Sequence, residues 1–360
     1  MSGNLLPGAG LSINNLLRLS RSYLKGQCMF KFQSFRYSFL AALALLSGVR
    51  TAASTTITES FSADPFQHGW RIFGDTNLFA WDPTNQNLRV TWDSSQSNSF
   101  FYMPLGTVLS RSDDFTFAFD LRLTDIGPGP DPNKNTSFPI CIELLDIDRA
   151  AKTNFIRGTG TDSPDLAEMA YFWDSGFGAT TWPTFVDTNS SFNYNGASDY
   201  ALYALTLGDT YRFVISYTAS NQIALTTVTN LSNSSGIVLT QLLNSAFADY
   251  RLASVSVSSY SDAGQDPAYA GSVLSHGIVD DISVTVPPPP VQNLSGGWTN
   301  NVWSTAFTAR TNWLYALERS VDLQKWEIIS SNNPGVDGQL VLTAPSTNSA
   351  ALYRLRASRP

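Results

Sequence analysis

The sequence predicts an all-β protein: a two-sheet antiparallel jelly-roll sandwich followed by a small C-terminal β-sandwich. Three observations carry this expectation. Phe115-Thr-Phe-Ala-Phe-Asp-Leu-Arg-Leu123 alternates strictly, so Phe115, Phe117, Phe119, Leu121 and Leu123 share one face of a strand. Charged residues make up 14% of the chain, below the usual quarter, and Ser, Thr, Asn and Gly fill the gap. That balance suits strands with uncharged polar faces. Nowhere does a segment of more than ten residues show the apolar spacing of an amphipathic helix.

The chain begins with a cationic stretch. Residues 1–53 carry Arg18, Arg21, Lys25, Lys31, Arg36 and Arg50 and no acid. Within it, residues 29–53 have the three-part order of an export signal: Lys31 and Arg36, then the apolar run Tyr37 to Leu46, then small residues at Thr51-Ala52-Ala53. The apolar run is too short to span a bilayer, and no other run is apolar enough. Residues 1–28 are read as an upstream extension: translation starting at Met29 is the favoured account, an unusually long basic leader is the second, and an N-terminal anchor that is never cleaved is the remaining alternative. The mature chain is expected to be secreted, either extracellular or at the cell surface, with no transmembrane span.

Residues 54–286 read as strands throughout. Tyr211, Phe213, Ile215 and Tyr217 alternate, and Ala219-Ser-Asn-Gln222 turns the chain into Ile223-Ala-Leu-Thr-Thr-Val-Thr229, which makes a hairpin. Further strands are expected at 88–92, 100–103, 138–147, 167–173, 252–259 and 278–286. Leu242 to Tyr250 is expected to form one or two helical turns. Two polar loops, Asp125 to Thr136 and Asp174 to Asp199, are long enough to be functional. Val286-Pro-Pro-Pro-Pro-Val291 then forms an extended linker over 287–291, because proline donates to neither a ladder nor a helix. Residues 292–360 form the small module. It holds Trp298, Trp303, Trp313 and Trp326, and strands are expected at 302–309, 313–319, 325–330, 339–343 and 351–356.

Charge and cysteine content exclude several functions. Without residues 1–53 the chain has 16 basic and 29 acidic residues, and no basic stripe with interleaved aromatics, so nucleic acid is not an expected partner. Beyond the export signal the only cysteine is Cys141, in the apolar run Phe138-Pro-Ile-Cys-Ile142, where it reads as a small buried hydrophobe. His68 and His276 are the only histidines, and no Gly-x-Ser-x-Gly run accompanies them, so nucleophilic catalysis has no evident machinery. No cofactor is expected. The candidates for calcium are Asp162, Asp165, Asp262 and Asp266, which lie among Ser, Gly and Pro without EF-hand spacing; solvated acidic loops are the plainer reading.

From Phe61 to Val286 the pattern resembles the concanavalin A-like lectin/glucanase superfamily, in its laminin-G-like branches. The carrying features are Phe61 with Gly69-Trp70, the strand Ser112-Asp-Asp-Phe-Thr-Phe-Ala-Phe-Asp120, Phe138-Pro-Ile-Cys-Ile-Glu-Leu-Leu-Asp146 and the closing Val279-Asp-Asp-Ile-Ser-Val284. The resemblance implies two curved antiparallel sheets that present glycans on a concave face or rim loops, sometimes with calcium. The C-terminus is similar to a small β module of secreted bacterial proteins. It shares a Tyr-x-Leu-Glu-x-Ser-x-Asp-Leu-x-x-Trp hairpin, here Tyr315 to Trp326, followed by Tyr353-Arg-x-Arg356.

The superfamily's hydrolases set a run of carboxylates on one strand. The corresponding segment here is Glu143-Leu-Leu-Asp-Ile-Asp148, in which Glu143 faces one way with Cys141 and Leu145 while Asp146 and Asp148 face the other. A retaining glycosidase needs two carboxylates about 5–5.5 Å apart, and the run offers no second Glu. Asp146 and Asp148 are expected at a turn or rim, and the protein is not expected to be an enzyme. Carbohydrate binding needs an aromatic ring beside groups that meet hydroxyls. The loop from Tyr171 to Asn195 brings those types together, so Trp182, Tyr194, Asn195 and Asp174 are the candidate ligand-binding residues. Trp173 is expected to close the core. The expected function is a secreted, non-catalytic, lectin-like or adhesive protein whose partner is an extracellular polysaccharide or glycoconjugate. The alternatives are a structural surface protein with no sugar site and a laminarinase-like hydrolase centred on Glu143.

Overall fold

Alternating aromatic strands have to bury one face, and pairing two such sheets is how this chain does it. The structure is a computed structural model that describes residues 54–127, 129, 138–157, 163–262, 271–345 and 351–360. The upstream extension, the export signal, most of the loop from Asp125 to Thr136, Asp162 and Asp266 lie outside the described residues. The chain divides into two units, one within Ala53–Pro289 and one within Pro290–Pro360.

In the first unit the strands are β1 (Thr55–Glu59), β2 (Arg71–Phe73), β3 (Phe79–Asp82), β4 (Asn87–Asp93), β5 (Ser99–Leu109), β6 (Phe115–Gly127) and β7 (Ile140–Leu145). A four-residue helix α1 (Ile147–Ala150) follows. Then come β8 (Leu166–Phe172), β9 (Thr180–Val186), β10 (Ala201–Leu202), β11 (Tyr211–Thr218), β12 (Ile223–Asn230), β13 (Gly236–Leu242), β14 (Leu252–Ser259) and β15 (Leu274–Val286). Among the described residues they form two antiparallel sheets. One runs β13-β12-β11-β6-β15-β4-β3, with β1 also on β15; the other runs β10-β9-β8-β7-β14-β5-β2. The antiparallel two-sheet sandwich is the architecture expected from the alternation.

The core is aromatic because the alternating faces meet in register. Phe213 sits opposite Phe119 on neighbouring strands, and their rings stack at 5.0 Å. Phe115, Phe117, Leu121, Leu123, Tyr211, Ile215 and Tyr217 are all buried with them. Strand β15 is shared: its first half pairs β4, its second half pairs β1, and its register against β6 shifts between Asp280 and Ser283. Asp281 takes a left-handed φ of 45° at that bulge, and Arg212 spans it with bonds to Asp120 (3.0 Å) and the Asp281 carbonyl (2.8 Å).

Three sequence expectations need correction. Residues 174–199 are not one long loop: Ser175-Gly-Phe-Gly178 makes a tight turn, with Gly176 and Gly178 at φ 84° and 108°, and β9 returns alongside β8. Thr, Trp, Phe and Val supply its β-preference, and Pro183 lies beyond the two residues at which β10 pairs β9, where a missing N–H interrupts no ladder on that side. Residues 243–250 hold a turn and no helix; Asn244 caps it by accepting from Ala246 N and Phe247 N. Sheet-edge strands β1, β3, β10 and β13 were not anticipated, being short or too polar to show alternation.

The second unit contains β16 (Val291–Thr299), β17 (Val302–Ala309), β18 (Leu314–Ser320), β19 (Glu327–Asn332), β20 (Gly338–Pro345) and β21 (Leu352–Ser358) in two three-stranded sheets, β16-β17-β20 and β19-β18-β21. The geometry explains its sequence motif. Buried Glu318 lies opposite Arg354 and pairs with it at 2.6 Å and with Arg356 at 2.8 Å. Ser320 and Asp322 accept the backbone N–H groups of the turn that follows, and the Arg354 guanidinium lies 4.1 Å from the centre of the Trp326 ring. Tyr315 is buried, and its hydroxyl donates to the Pro290 carbonyl at 2.7 Å; burial pushes it up to about 12.

In the first unit the Phe61 and Gly69-Trp70 feature is organised by one carboxylate. Glu59, 3% exposed, accepts from Phe61 N at 2.7 Å and from the Trp70 indole at 3.1 Å, and His68 lies 3.0 Å away. Trp70 stacks on Phe101 at 4.6 Å. Replacing Glu59 with Ala leaves two buried donors without an acceptor and is expected to cost roughly 2–4 kcal/mol. Chemical denaturation of the variant checks this, and a loss under about 0.5 kcal/mol would contradict the assignment.

Candidate functional site

The sequence placed its candidate site on a loop; the structure sets Trp182 on β9, on one face of the seven-stranded sheet, and leaves Asp174, Tyr194 and Asn195 in connections between strands. Register and alternation put Trp182, Ala170, Cys141 and Ser258 in one lateral row and Thr184, Glu168, Glu143 and Ser256 in the next. Both rows lie on the face opposite to Ile142, Leu144, Val255 and Val257, which is apolar. The polar face has two parts, a closed centre and an aromatic edge.

The closed centre is a carboxyl pair. Glu143 on β7 stands directly opposite Glu168 on β8, and both are fully buried. Arg157 reaches Glu168 through two nitrogens, Nε at 3.0 Å and Nη2 to the other oxygen. Tyr260 donates to both Glu143 oxygens at 2.7 and 2.8 Å, Ser258 donates to one of them, and Ser256 and Ser258 share a 2.9 Å hydrogen bond. One guanidinium serves two carboxyl groups. Burial first, and the Glu168 charge second, push Glu143 well above the usual carboxylate range, although Ser258 and Tyr260 pull it down. The hydrogen bond between the two carboxyl groups acts in the same direction as burial, favouring a proton on Glu143. Burial and Glu168 likewise push the Cys141 thiol well up, so it is an inert thiol, as its apolar run suggested.

The covering segment has its own aromatic contacts. Phe155 stacks with Tyr260 at 6.1 Å, Phe100 meets Tyr260 edge-on at 5.6 Å, and Arg157 lies over Phe192 at 5.3 Å. Asn98 ties the two covering strands of chain together, donating to the Phe155 carbonyl at 3.0 Å and accepting from Ser261 N at 2.7 Å. Sequence reasoning singled out Glu143 but missed Glu168, Arg157 and Tyr260. The signal was a lone acid within Leu-Ala-Glu-Met-Ala-Tyr-Phe172, since a charge in an apolar strand demands a partner.

The aromatic edge is built around Trp182. It is half-buried on β9 and meets Phe172 at 6.5 Å, Tyr194 at 5.9 Å and Tyr200 at 6.0 Å. Tyr194 is 53% exposed, and Phe177, at the tip of the β8–β9 turn, is 83% exposed. Asn195 is at the surface, but its amide is used: it donates to the Leu242 carbonyl at 2.8 Å, and its backbone N–H donates to Asp199 at 2.6 Å. Asp174 accepts from Gly176 N at 2.9 Å and so holds the turn. Trp173 is partly buried against the core. Trp182 and Tyr194 are thus brought together, while Asn195 and Asp174 hold the flanking loops. Tyr200 was not foreseen; it stands directly before β10, which no alternation announced.

The remaining acidic candidates serve as backbone anchors. Asp146 caps α1 by accepting from Asp148 N at 3.0 Å, a turn role as expected. Asp165 accepts from Arg251 N at 2.8 Å and binds Arg149, and Asp262 accepts from Ser272 N at 3.2 Å. Among the described residues no group of three or more His, Cys, Asp or Glu is arranged to hold a metal ion, and no helix is long and apolar enough to cross a membrane.

No known protein family matches the chain, and no curated protein matches it either. Similar solved structures include peanut lectin, with 14% identity over 65% of this chain and 99% of that one and a TM-score of 0.43. Lectin II from Ulex europaeus matches with 11% identity over 65% and 99%, TM-score 0.41. The marine PL-14 alginate lyase from Aplysia kurodai matches with 12% identity over 66% and 100%, TM-score 0.42. A likeness at this level carries no argument about what this chain binds or does.

The carboxyl pair generates a pH prediction. Because Glu143 titrates above its unfolded value, its proton contributes stability in full below about pH 4.3, and that contribution is lost as pH rises toward the folded value, at about 1.4 kcal/mol per pH unit. Glu143→Gln keeps a donor toward Glu168 and removes that loss, so the variant is expected to gain on the parent chain from pH 4 to pH 8. Glu168→Gln strands the buried Arg157 charge and is expected to cost roughly 3–5 kcal/mol. Denaturation curves across that pH range decide both, and parallel curves for Glu143→Gln and the parent would refute the protonated pair.

Proposed function

We propose that the first unit is a non-catalytic carbohydrate-binding domain of an exported bacterial protein, working extracellularly or at the cell surface, and that Trp182 and Tyr194 form its sugar-stacking platform. The observation that carries the reading is the set of rings around Trp182. A sugar presents an apolar C–H face and a ring of hydroxyls, so it is met by a flat amphipathic ring whose orientation is already fixed. Phe172 and Tyr200 hold the Trp182 indole in place, Tyr194 stands beside it toward solvent, and the loops pinned by Asn195 and Asp174 frame both. A platform pre-set by packing loses little side-chain entropy on binding.

The closed centre supports a binding reading over hydrolysis. A glycosidase pair has to leave the sugar between its two carboxyl groups. Glu143 and Glu168 bond to each other, Tyr260, Ser258 and Arg157 occupy their remaining positions, and both are shut away from solvent. The pair has the geometry of an internal fastening. The export signal, the scarcity of charge and the absence of any basic stripe fit an extracellular partner.

The test is glycan-array binding of the full chain, with and without calcium. Trp182→Ala is expected to weaken binding about tenfold or more, as loss of a central aromatic anchor does, and Tyr194→Ala by a smaller factor. Trp298→Ala, in the second unit, is expected to leave affinity unchanged. Binding that survives Trp182→Ala undiminished would place the sugar elsewhere. Release of reducing ends from a β-glucan, abolished by Glu143→Gln, would overturn the non-catalytic reading.

A further inference from the structure

The surroundings of the Trp182 platform select among sugars by charge. From residue 163 to residue 210 the sequence holds no Lys, Arg or His and six acids: Asp165, Glu168, Asp174, Asp187, Asp199 and Asp209. This stretch supplies β8, β9, β10 and every ring of the platform. The other segment that anchors it, residues 231–250, contributes the Leu242 carbonyl that holds Asn195, and it carries no cation and one more acid, Asp249.

Of the arginines elsewhere among the described residues, Arg251 is bound to the Asp249 carboxylate and the Tyr250 carbonyl. Arg157 is buried and forked onto Glu168. Arg149 binds the Asp165 carboxylate and both oxygens of Thr188. Arg111 turns inward onto the carbonyls of Leu243, Asn244 and Phe247 and onto the Gln222 amide oxygen. Arg71 lies on β2, at the opposite edge of the seven-stranded sheet from β10. Arg212 is committed to Asp120, on the other sheet.

A uronate carboxylate or a sulfate ester is recognised by guanidinium or ammonium groups, most tightly as a bidentate pair. A glycan bearing such a group on every unit would here bring its charge toward Asp174 and Asp199, and the stretch that carries the platform holds no cation to meet it. A neutral hexose polymer meets no such opposition, and ring stacking and hydroxyl contacts suffice for it. We propose that the Trp182 platform takes neutral polysaccharides and excludes uronate-containing and sulfated ones. This rests on the platform reading and adds the chemical class of the ligand.

The experiment is affinity electrophoresis of the full chain through gels containing a neutral β-glucan, mannan or galactan, and in parallel through alginate, polygalacturonate or carrageenan, each at low and high salt. The expected result is retardation in at least one neutral gel, changed less than about twofold by salt because no charge pairing is involved. Trp182→Ala and the more exposed Tyr194→Ala are both expected to reduce that retardation, and the anionic gels are expected to show none that depends on either residue. Retardation by an anionic glycan that is lost in Tyr194→Ala and weakens with salt would overturn the neutral class while leaving the platform standing. Neutral-gel retardation unchanged in both variants would overturn the platform itself, and so would the absence of retardation by any glycan in the parent chain.

Discussion

The ion pair between Arg157 and Glu168 is the constraint on which the arrangement of the seven-stranded sheet depends. A sheet in a sandwich has one face committed to the core, and its other face is ordinarily wet. Here β7 and β8 are buried on both faces. The second face is closed by the segment that carries Phe155 and Arg157 together with Tyr260, and among the described residues the cation in that closure is the Arg157 guanidinium, with two carboxyl groups nearby. The guanidinium is forked onto Glu168, and burial beside that carboxylate favours the protonated form of Glu143. Cys141, Ser256 and Ser258 are small enough to let the covering rings approach, and their hydrogen-bonding capacity is absorbed locally. The burial of Glu143, the upward push on its pKa and the position of Tyr260 belong to one closure.

Closing the centre of the face leaves its edge as the part available to a ligand. Strand β10 is only two residues long, so the sheet ends close beside β9, whose residues are buried except for the half-buried Trp182. Trp182 is the large residue at that position. The rings of Phe172, Tyr194 and Tyr200 come from three separate stretches of chain and all pack against the indole. The same edge is built from residues 163–210, which hold acids and no Lys, Arg or His, while Arg149, Arg111 and Arg251 bind carboxylates and carbonyls.

The second unit shows the same economy on a smaller scale. About seventy residues without a disulfide leave little margin for a core. Glu318 is buried and held by Arg354 and Arg356 from the neighbouring strand, while Arg354 also covers Trp326. One hairpin motif thus links a charge pair, a turn and an aromatic contact, which is why its residues occur at fixed spacings.

The sequence by itself determined the strands and the class of fold. Phe115 to Leu123 and Tyr211 to Tyr217 could only bury one face, whatever they packed against, because the period of a strand is two residues. It also determined the turn at Ser175-Gly-Phe-Gly178 in principle, although the polar run around it concealed β9. The tertiary structure alone decided which strands lie side by side, and hence that Glu168, twenty-five residues from Glu143, stands opposite it, and that Tyr200 reaches Trp182 across β10. Lateral neighbours in an antiparallel sheet are set by register between distant segments. No local pattern encodes that register, and the candidate site is made of little else.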